Sequence, residues 1–258
     1  MGLARDASDT SVSHRIAATS RAGLITLVEE LLSGFGEREA LQVLRHPFSS
    51  AQVVELVLSR SSLLRAAAVR KAIALHPAAP RADALRCLDD LGWRDLLDIG
   101  REARTPAPVR RSANQKIVER LPVLAIGERV TLARLTDREL LRLLLADTEE
   151  KVFLAVLRNS RLVTEDLVTF ISTGSPSAVH LALLAADPLW KERPPVRRAL
   201  LRSRRTPRGA ALALLAEASR GELRDLAIDP GSDPLLAACA SRIVEEGVPF
   251  VDRRRRHR

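Results

Sequence analysis

Two stretches of this sequence set carboxylates beside a tryptophan. Asp89-Asp90 and the pair Asp95 and Asp98 flank Trp93, and Asp187 lies three residues before Trp190. A carboxylate held against an apolar ring is raw material for general acid–base work, because desolvation and neighbouring charge move its pKa. The plainer reading, and the one adopted, is that both tryptophans fill hinges between helices, since large aromatics mostly serve packing. The five histidines, His14, His46, His76, His180 and His257, are scattered. None has Cys or carboxylate companions at ligand spacing, so no metal site is expected. His46 and His76 each precede a proline and read as helix-ending corners, and His180 sits in an apolar segment as a partly buried histidine. There is no Walker A loop, no GxSxG and no HExxH. No catalytic residue, no cofactor and no enzymatic activity are expected.

The stronger chemical signal is basic. Arg197, Arg198, Arg202, Arg204, Arg205 and Arg208 crowd one stretch, and Arg104, Arg110, Arg111, Lys116 and Arg120 crowd another. Net charge is +9, and only four of the 41 basic residues are Lys. One reading makes Arg110, Arg111, Arg197, Arg198, Arg202, Arg204, Arg205 and Arg208 a stripe for a polyanion or other partner, since each phosphate contact releases counterions. The other is that half of them pair with Asp and Glu on neighbouring elements and cover apolar surface with their stems.

The elements that must position these residues are helices. Leu, Ala and Arg dominate, aromatics make up 3%, there is no Tyr, and strand-like alternation is missing. The stretch 194–215 reads as helix, corner, helix: Pro194-Pro195 opens the first, Ser203 to Arg205 turn, and Thr206-Pro207 caps and restarts the chain. The same unit recurs. Blocks beginning at Val69, Val109, Val152, Val196 and Leu235 lie 40, 43, 44 and 39 residues apart. A polar corner follows three of them, at His76, Asn159 and Ser203, and the second block runs one helical turn longer, to Leu121-Pro122. A second element precedes the blocks, ending in Asp147-Thr148, Asp187-Pro188 and Asp229-Pro230. From residue 80 onward each repeat has up to three helices. Periods near 40 residues are the signature of helical arrays.

On Asp187-Pro188, Val196-Arg197-Arg198-Ala199, Thr206-Pro207 and their matching blocks, residues 40–246 resemble bacterial HEAT-like repeats, close to the leucine-rich repeat variant type. The resemblance implies an all-α fold, a right-handed α-solenoid (an α–α superhelix) of about five HEAT/armadillo-like repeats of 39–44 residues. It also implies that loop Asp and helix Arg pair within and between repeats, giving Asp147, Asp187, Asp229, Arg70, Arg110 and Arg197 structural roles. The third block departs from the pattern, with Phe153-Leu154 where Arg is expected, so either that repeat has a wider apolar contact or a partner docks there. HEAT-like DNA glycosylases for alkylated bases use a catalytic Asp beside aromatics in a basic groove. Asp95, Asp98 or Asp187 with their tryptophans could mimic that, but two Trp and no Tyr give few rings to hold a nucleotide.

The expected layout is a flexible arm over 1–20, an N-terminal helical cap over 21–49, the repeat solenoid over 50–246 and a basic tail over 247–258. Cys87 and Cys239, 152 residues apart in apolar helical context, read as buried free thiols of a reducing compartment. No apolar run approaches 18 residues and the N-terminus lacks a signal-peptide plan, so a cytoplasmic protein is expected. The function expected is a non-enzymatic scaffold that binds another macromolecule, first a protein through the concave face and second a nucleic acid through the Arg stripe. Oligomeric state is left open.

Overall fold

A computed structural model describes residues 12–246. Most of the expected arm and all of the basic tail lie outside the described residues. Among those described the protein is all-helical, without strands. The chain divides into two compact units, one up to Leu124 and one from Ala125. The first holds α1 (12–17), α2 (Arg21–Leu31), α3 (Glu37–Leu44), α4 (Ala51–Leu58), α5 (Ala67–Leu75), α6 (Arg81–Cys87), α7 (Trp93–Arg101) and α8 (Ala107–Arg120). The second holds α9 (Ile126–Leu135), α10 (Arg138–Leu144), α11 (Glu150–Leu157), α12 (Thr164–Thr173), α13 (Ala178–Ala186), α14 (Pro194–Arg202), α15 (Arg208–Leu215), α16 (Arg220–Ile228) and α17 (Pro234–Glu246).

The helices fall into triplets. In the first unit α3 packs on α4 and α5, α6 on α8, and α7 on α8; α5 then meets α6 and α7 of the next triplet. In the second unit α9 packs on α10 and α11, α12 on α14, and α15 on α17, while α11 meets α13 and α14 meets α15 and α16. The third helix of each triplet carries the core. Val69, Val109, Val152 and Val196 are buried, and so are Ile73, Ala113, Val156 and Leu200 four residues on. An i, i+4 pair lies on one helical face, so each third helix anchors through the same stripe. As expected from its block, α8 is the long one, 14 residues against nine in α5 and α14.

Three local expectations are corrected. The fifth block is shifted by one residue: Leu236 is 4% exposed and Ala240 is buried, whereas Leu235 is 45% exposed. Pro234 is the first residue of α17, and one step of about 100° from there turns Leu235 outward. Thr206 does not cap α15. The N-cap is Pro207, and the buried Thr206 hydroxyl donates backward to the Leu200 carbonyl at 2.7 Å. Cys87 is buried and free, with burial and then Asp83 pushing its pKa up to about 11, but Cys239 is only half-buried.

Candidate functional site

Of the carboxylates beside the tryptophans, Asp89, Asp95, Asp98 and Asp187 pair with basic side chains of neighbouring segments. Lys71 of α5 reaches Asp95 at 3.0 Å and Asp98 at 2.5 Å, both on α7. Burial lowers the Lys71 pKa, but its hydrogen bonds to Asp98 and Asp95 and their charges outweigh that and leave it raised. Lys116 of α8 meets Asp89 at 2.6 Å, and Arg120 donates to the Leu91 and Asp89 carbonyls. Trp93 is buried as the first residue of α7, with the Arg94 guanidinium 5.2 Å from its ring centroid. In the second unit Asp187 Oδ1 accepts from the Leu189 and Trp190 amides, and Oδ2 takes Arg158 at 2.7 Å. The buried Trp190 donates its ring N–H to the Leu157 carbonyl at 3.0 Å. The Asp187 carboxylate and Trp190 thus fix one corner.

Asp187 belongs to a recurring device. Just past the second helix of four triplets, Glu102, Asp147, Asp187 and Asp229 each accept from the backbone N–H two residues on, at 3.2, 3.0, 3.0 and 2.9 Å. A side-chain acceptor there mimics a backbone turn and satisfies a donor that the corner leaves free. The three aspartates spend their other oxygen on arginine: Asp147 on Arg129 of its own triplet, Asp187 on Arg158 and Asp229 on Arg202 of the triplet before. Pairing within and between triplets is therefore present, but through Arg129 of α9 and through Arg158 and Arg202, each five residues past the position of Phe153 and Arg197. Arg70 turns to carbonyls instead, those of Leu64, Arg65 and Asp90. The buried Arg110 Nε has no hydrogen-bond partner. Glu102 carries no sequence mark beyond its place 45 residues before Asp147, being Glu where the others are Asp.

The histidines do the same work. His46 and His76 accept through Nδ1 from the amides of Phe48 and Ala78, at 3.2 and 3.1 Å. Asn159, in the corner equivalent to His76, accepts from Arg161 at 2.9 Å and donates to the Ala133 carbonyl at 2.8 Å. Burial holds the His76 pKa below its ordinary value. His180 is buried with Nδ1 facing the Ser177 amide at 3.4 Å and Nε2 at 2.9 Å from the Asp147 carbonyl. Among the described residues no three His, Cys, Asp or Glu side chains group to hold a metal ion.

Arg197 and Phe153 occupy the same position in their triplets, one residue after the anchoring valine. Arg197 is 8% exposed and faces inward. Its Nη2 meets Glu222 of α16 at 2.7 Å and its Nη1 donates to the Lys191 carbonyl at 3.2 Å. Burial raises the Glu222 pKa, but the hydrogen bonds from Arg197 and Ser219 outweigh it, so the carboxyl sits below its ordinary value. Phe153 is fully buried, its ring stacked on His180 of α13 at 4.5 Å and tilted against Phe170 at 6.1 Å. Glu222 and His180 are themselves equivalent, each third in a helix capped by Ser219 or Ser177. The gap in the arginine series is thus filled by an aromatic contact.

The eight arginines of the expected stripe do not act alike. Arg110 and Arg111 belong to the first unit and the other six to the second. Arg197 is an interior ion pair, Arg202 pairs with Asp229 at 2.9 Å, and Arg208 lies 3.7 Å from Asp233. Arg198, Arg202, Arg204 and Arg205 come together. They line a cleft of about 790 Å³ between the end of α12 and α14, together with hydroxyls of Ser172, Thr173, Ser175 and Ser203. Arg198 and Arg205 each spend one N–H on a carbonyl, those of Pro194 and Gly174. A second cleft, of about 630 Å³, lies in the first unit between α3 and α5. Its Ala68, Lys71, Ala72, Leu75 and His76 correspond to Pro195, Arg198, Ala199, Arg202 and Ser203 of the first cleft. The two are one feature of the triplet, the space between its first and third helices.

Comparison with family models, with curated proteins and with solved structures found no match to this chain.

Proposed function

We propose that this chain is a non-enzymatic helical-repeat protein of the HEAT-like, leucine-rich-repeat-variant kind, whose triplets stack as a solenoid and whose third helices present a surface to a protein partner. One observation carries the reading. At equivalent positions of the third helices the anchoring residues keep one chemistry, Val69, Val109, Val152 and Val196, all buried. Two residues further on the outer positions are Lys71, Arg111, Leu154 and Arg198, and the last three are exposed. A constant interior under a varied exterior is what a scaffold needs to shape one surface for one partner, and helical arrays create extended concave surfaces of this kind. The free thiols Cys87 and Cys239 suit a reducing, cytoplasmic setting.

A nucleic-acid stripe has less support. It loses Arg197 to the interior and Arg202 to Asp229. The cleft that keeps Arg198, Arg204 and Arg205 is lined, among the described residues, by no aromatic ring on which a base could stack. Base excision has less still, because Asp95, Asp98 and Asp187 already hold Lys71 and Arg158.

Fluorescence anisotropy of labelled duplex DNA and single-stranded RNA, at low and near-physiological salt, tests the choice. Weak binding that salt removes agrees with a protein scaffold. Tight binding that persists near physiological salt contradicts it, as does release of a base from alkylated DNA.

A further inference from the structure

The two equivalent clefts differ in charge, and the difference has a structural origin. In the first unit the cleft holds Arg45, Lys71 and Arg104, but Asp95 and Glu102 line it too. Lys71 is taken by Asp95 and Asp98 of the following helix. In the second unit Arg198 replaces Lys71, and Arg202 replaces Leu75. The acid that corresponds to Asp95 is Glu222, and Glu222 is turned inward onto Arg197. Arg198 is thereby left without that counter-charge. Among the described residues no carboxylate lines this cleft, and of its four arginines Arg202 forms an ion pair, with Asp229.

We propose that the cleft between α12 and α14 takes a phosphorylated side chain of the protein partner. Exposed Arg198, Arg204 and Arg205, with Arg202 shared with Asp229, line it together with Ser172, Thr173, Ser175 and Ser203, a lining that matches a phosphomonoester, which carries close to two negative charges and three strong acceptor oxygens. Arginine clusters recognise such groups by paired N–H donors. At about 790 Å³ the cleft is the size of a compact ligand site, and Val168, Ile171, Pro195 and Ala199 give it an apolar floor for the residues beside the phosphate. A nucleic-acid backbone would need basic contacts repeated along a groove and rings for its bases, and this cleft offers neither. The proposal rests on the protein-scaffold reading and deepens it.

The test uses the full chain. A degenerate nonapeptide library with a fixed central phosphoserine is compared with the same library carrying serine, by anisotropy at near-physiological salt, beside a labelled 12-base-pair DNA duplex. The phosphoserine library should bind at least tenfold more tightly than the serine library, with inorganic pyrophosphate competing. Arg204→Ala and Arg198→Ala should each reduce that binding at least fivefold, and Arg224→Ala, an exposed arginine of α16, should leave it unchanged. Equal binding of the two libraries, loss with Arg224→Ala alone, or a duplex that binds more tightly than the phosphoserine library overturns the proposal. If the phosphoserine preference is absent while cross-links to a protein still form at the third-helix positions, the cleft assignment fails and the scaffold reading stands.

Discussion

Phe153 stacks on His180, ring centroids 4.5 Å apart, in the place where Arg197 meets Glu222 one repeat later. The two pairs join the third helix of one triplet to the second helix of the next. One does so by a charge pair and the other by apolar contact, so both chemistries serve at this junction.

That equivalence is measurable. Phe153→Ala should cost about 3–5 kcal/mol, as truncations of a buried phenylalanine do. Phe153→Arg alone should cost at least as much, because it buries a charge with no carboxylate to meet it. Adding His180→Glu should return part of the loss. Urea unfolding of the two single variants and the double variant gives the coupling, and strict additivity would refute the equivalence.

The reciprocal weakness lies at low pH. The Glu222 carboxyl is held below its ordinary 4.5 by Arg197 and Ser219 against the effect of burial. Asp166, whose side chain is 1% exposed, is held below 3.8 by Arg138 and Arg142 in the same way. A carboxyl with a lowered folded pKa binds protons more readily in the unfolded chain. The stability it contributes is complete above the unfolded value and is lost as pH falls through the folded one. Glu222→Gln and Asp166→Asn should each lower stability at neutral pH by about 1.5–3 kcal/mol, the worth of a hydrogen bond to a charged group. Each should also flatten the decline below pH 4.5 in acid-unfolding curves.

His76 works at higher pH. Burial holds its folded pKa below the ordinary 6.5, and its Nδ1 must stay unprotonated to accept the Ala78 amide. Its contribution is therefore complete above 6.5 and falls away as pH drops through the folded value. Asn159 fills the equivalent corner with no titrating group. His76→Asn should fold normally and remove part of the stability change between pH 7 and pH 5, read by thermal unfolding at a series of pH values. An unchanged pH profile would contradict the assignment.

The thiols separate by burial. Cys87 is 5% exposed with its pKa pushed up to about 11, whereas Cys239 is half-buried. A thiolate-selective reagent at pH 8 should modify Cys239 first and reach Cys87 only after denaturant is added. Equal rates in the folded protein would place Cys87 wrongly.

Much of this construction was legible in the sequence because the interior repeats by residue type. Val69, Val109, Val152 and Val196 mark the third helices, and the corners at His76 and Asn159 follow them at fixed distance. Phe153 also held the clue that the next position faces inward, since a phenylalanine replaces an arginine there. What could not be read depends on rotation and on distant partners. Arg197 and Arg198 are adjacent and identical in type, yet one is an interior ion pair and the other lines a cleft; the helical rotation between them and Glu222 on α16 separate them. The fifth block was set on Leu235, but the buried stripe of α17 runs through Leu236 and Ala240, a rotation that residue type does not reveal. Glu102 gave no sign because it stands where the other triplets have Asp. The arginine cleft is built from 168–175 and 195–205, segments that only the packing of α12 on α14 brings together.

The most direct measurement of the central claim is site-specific photo-cross-linking in cells that express the protein natively. A photoreactive phenylalanine replaces Arg111, Leu154 or Arg198 on the third helices, or Arg224 on α16 as the control. A protein scaffold predicts one and the same cross-linked protein from the third-helix positions and none from position 224. Adducts to nucleic acid alone, or identical patterns from all four positions, would contradict it.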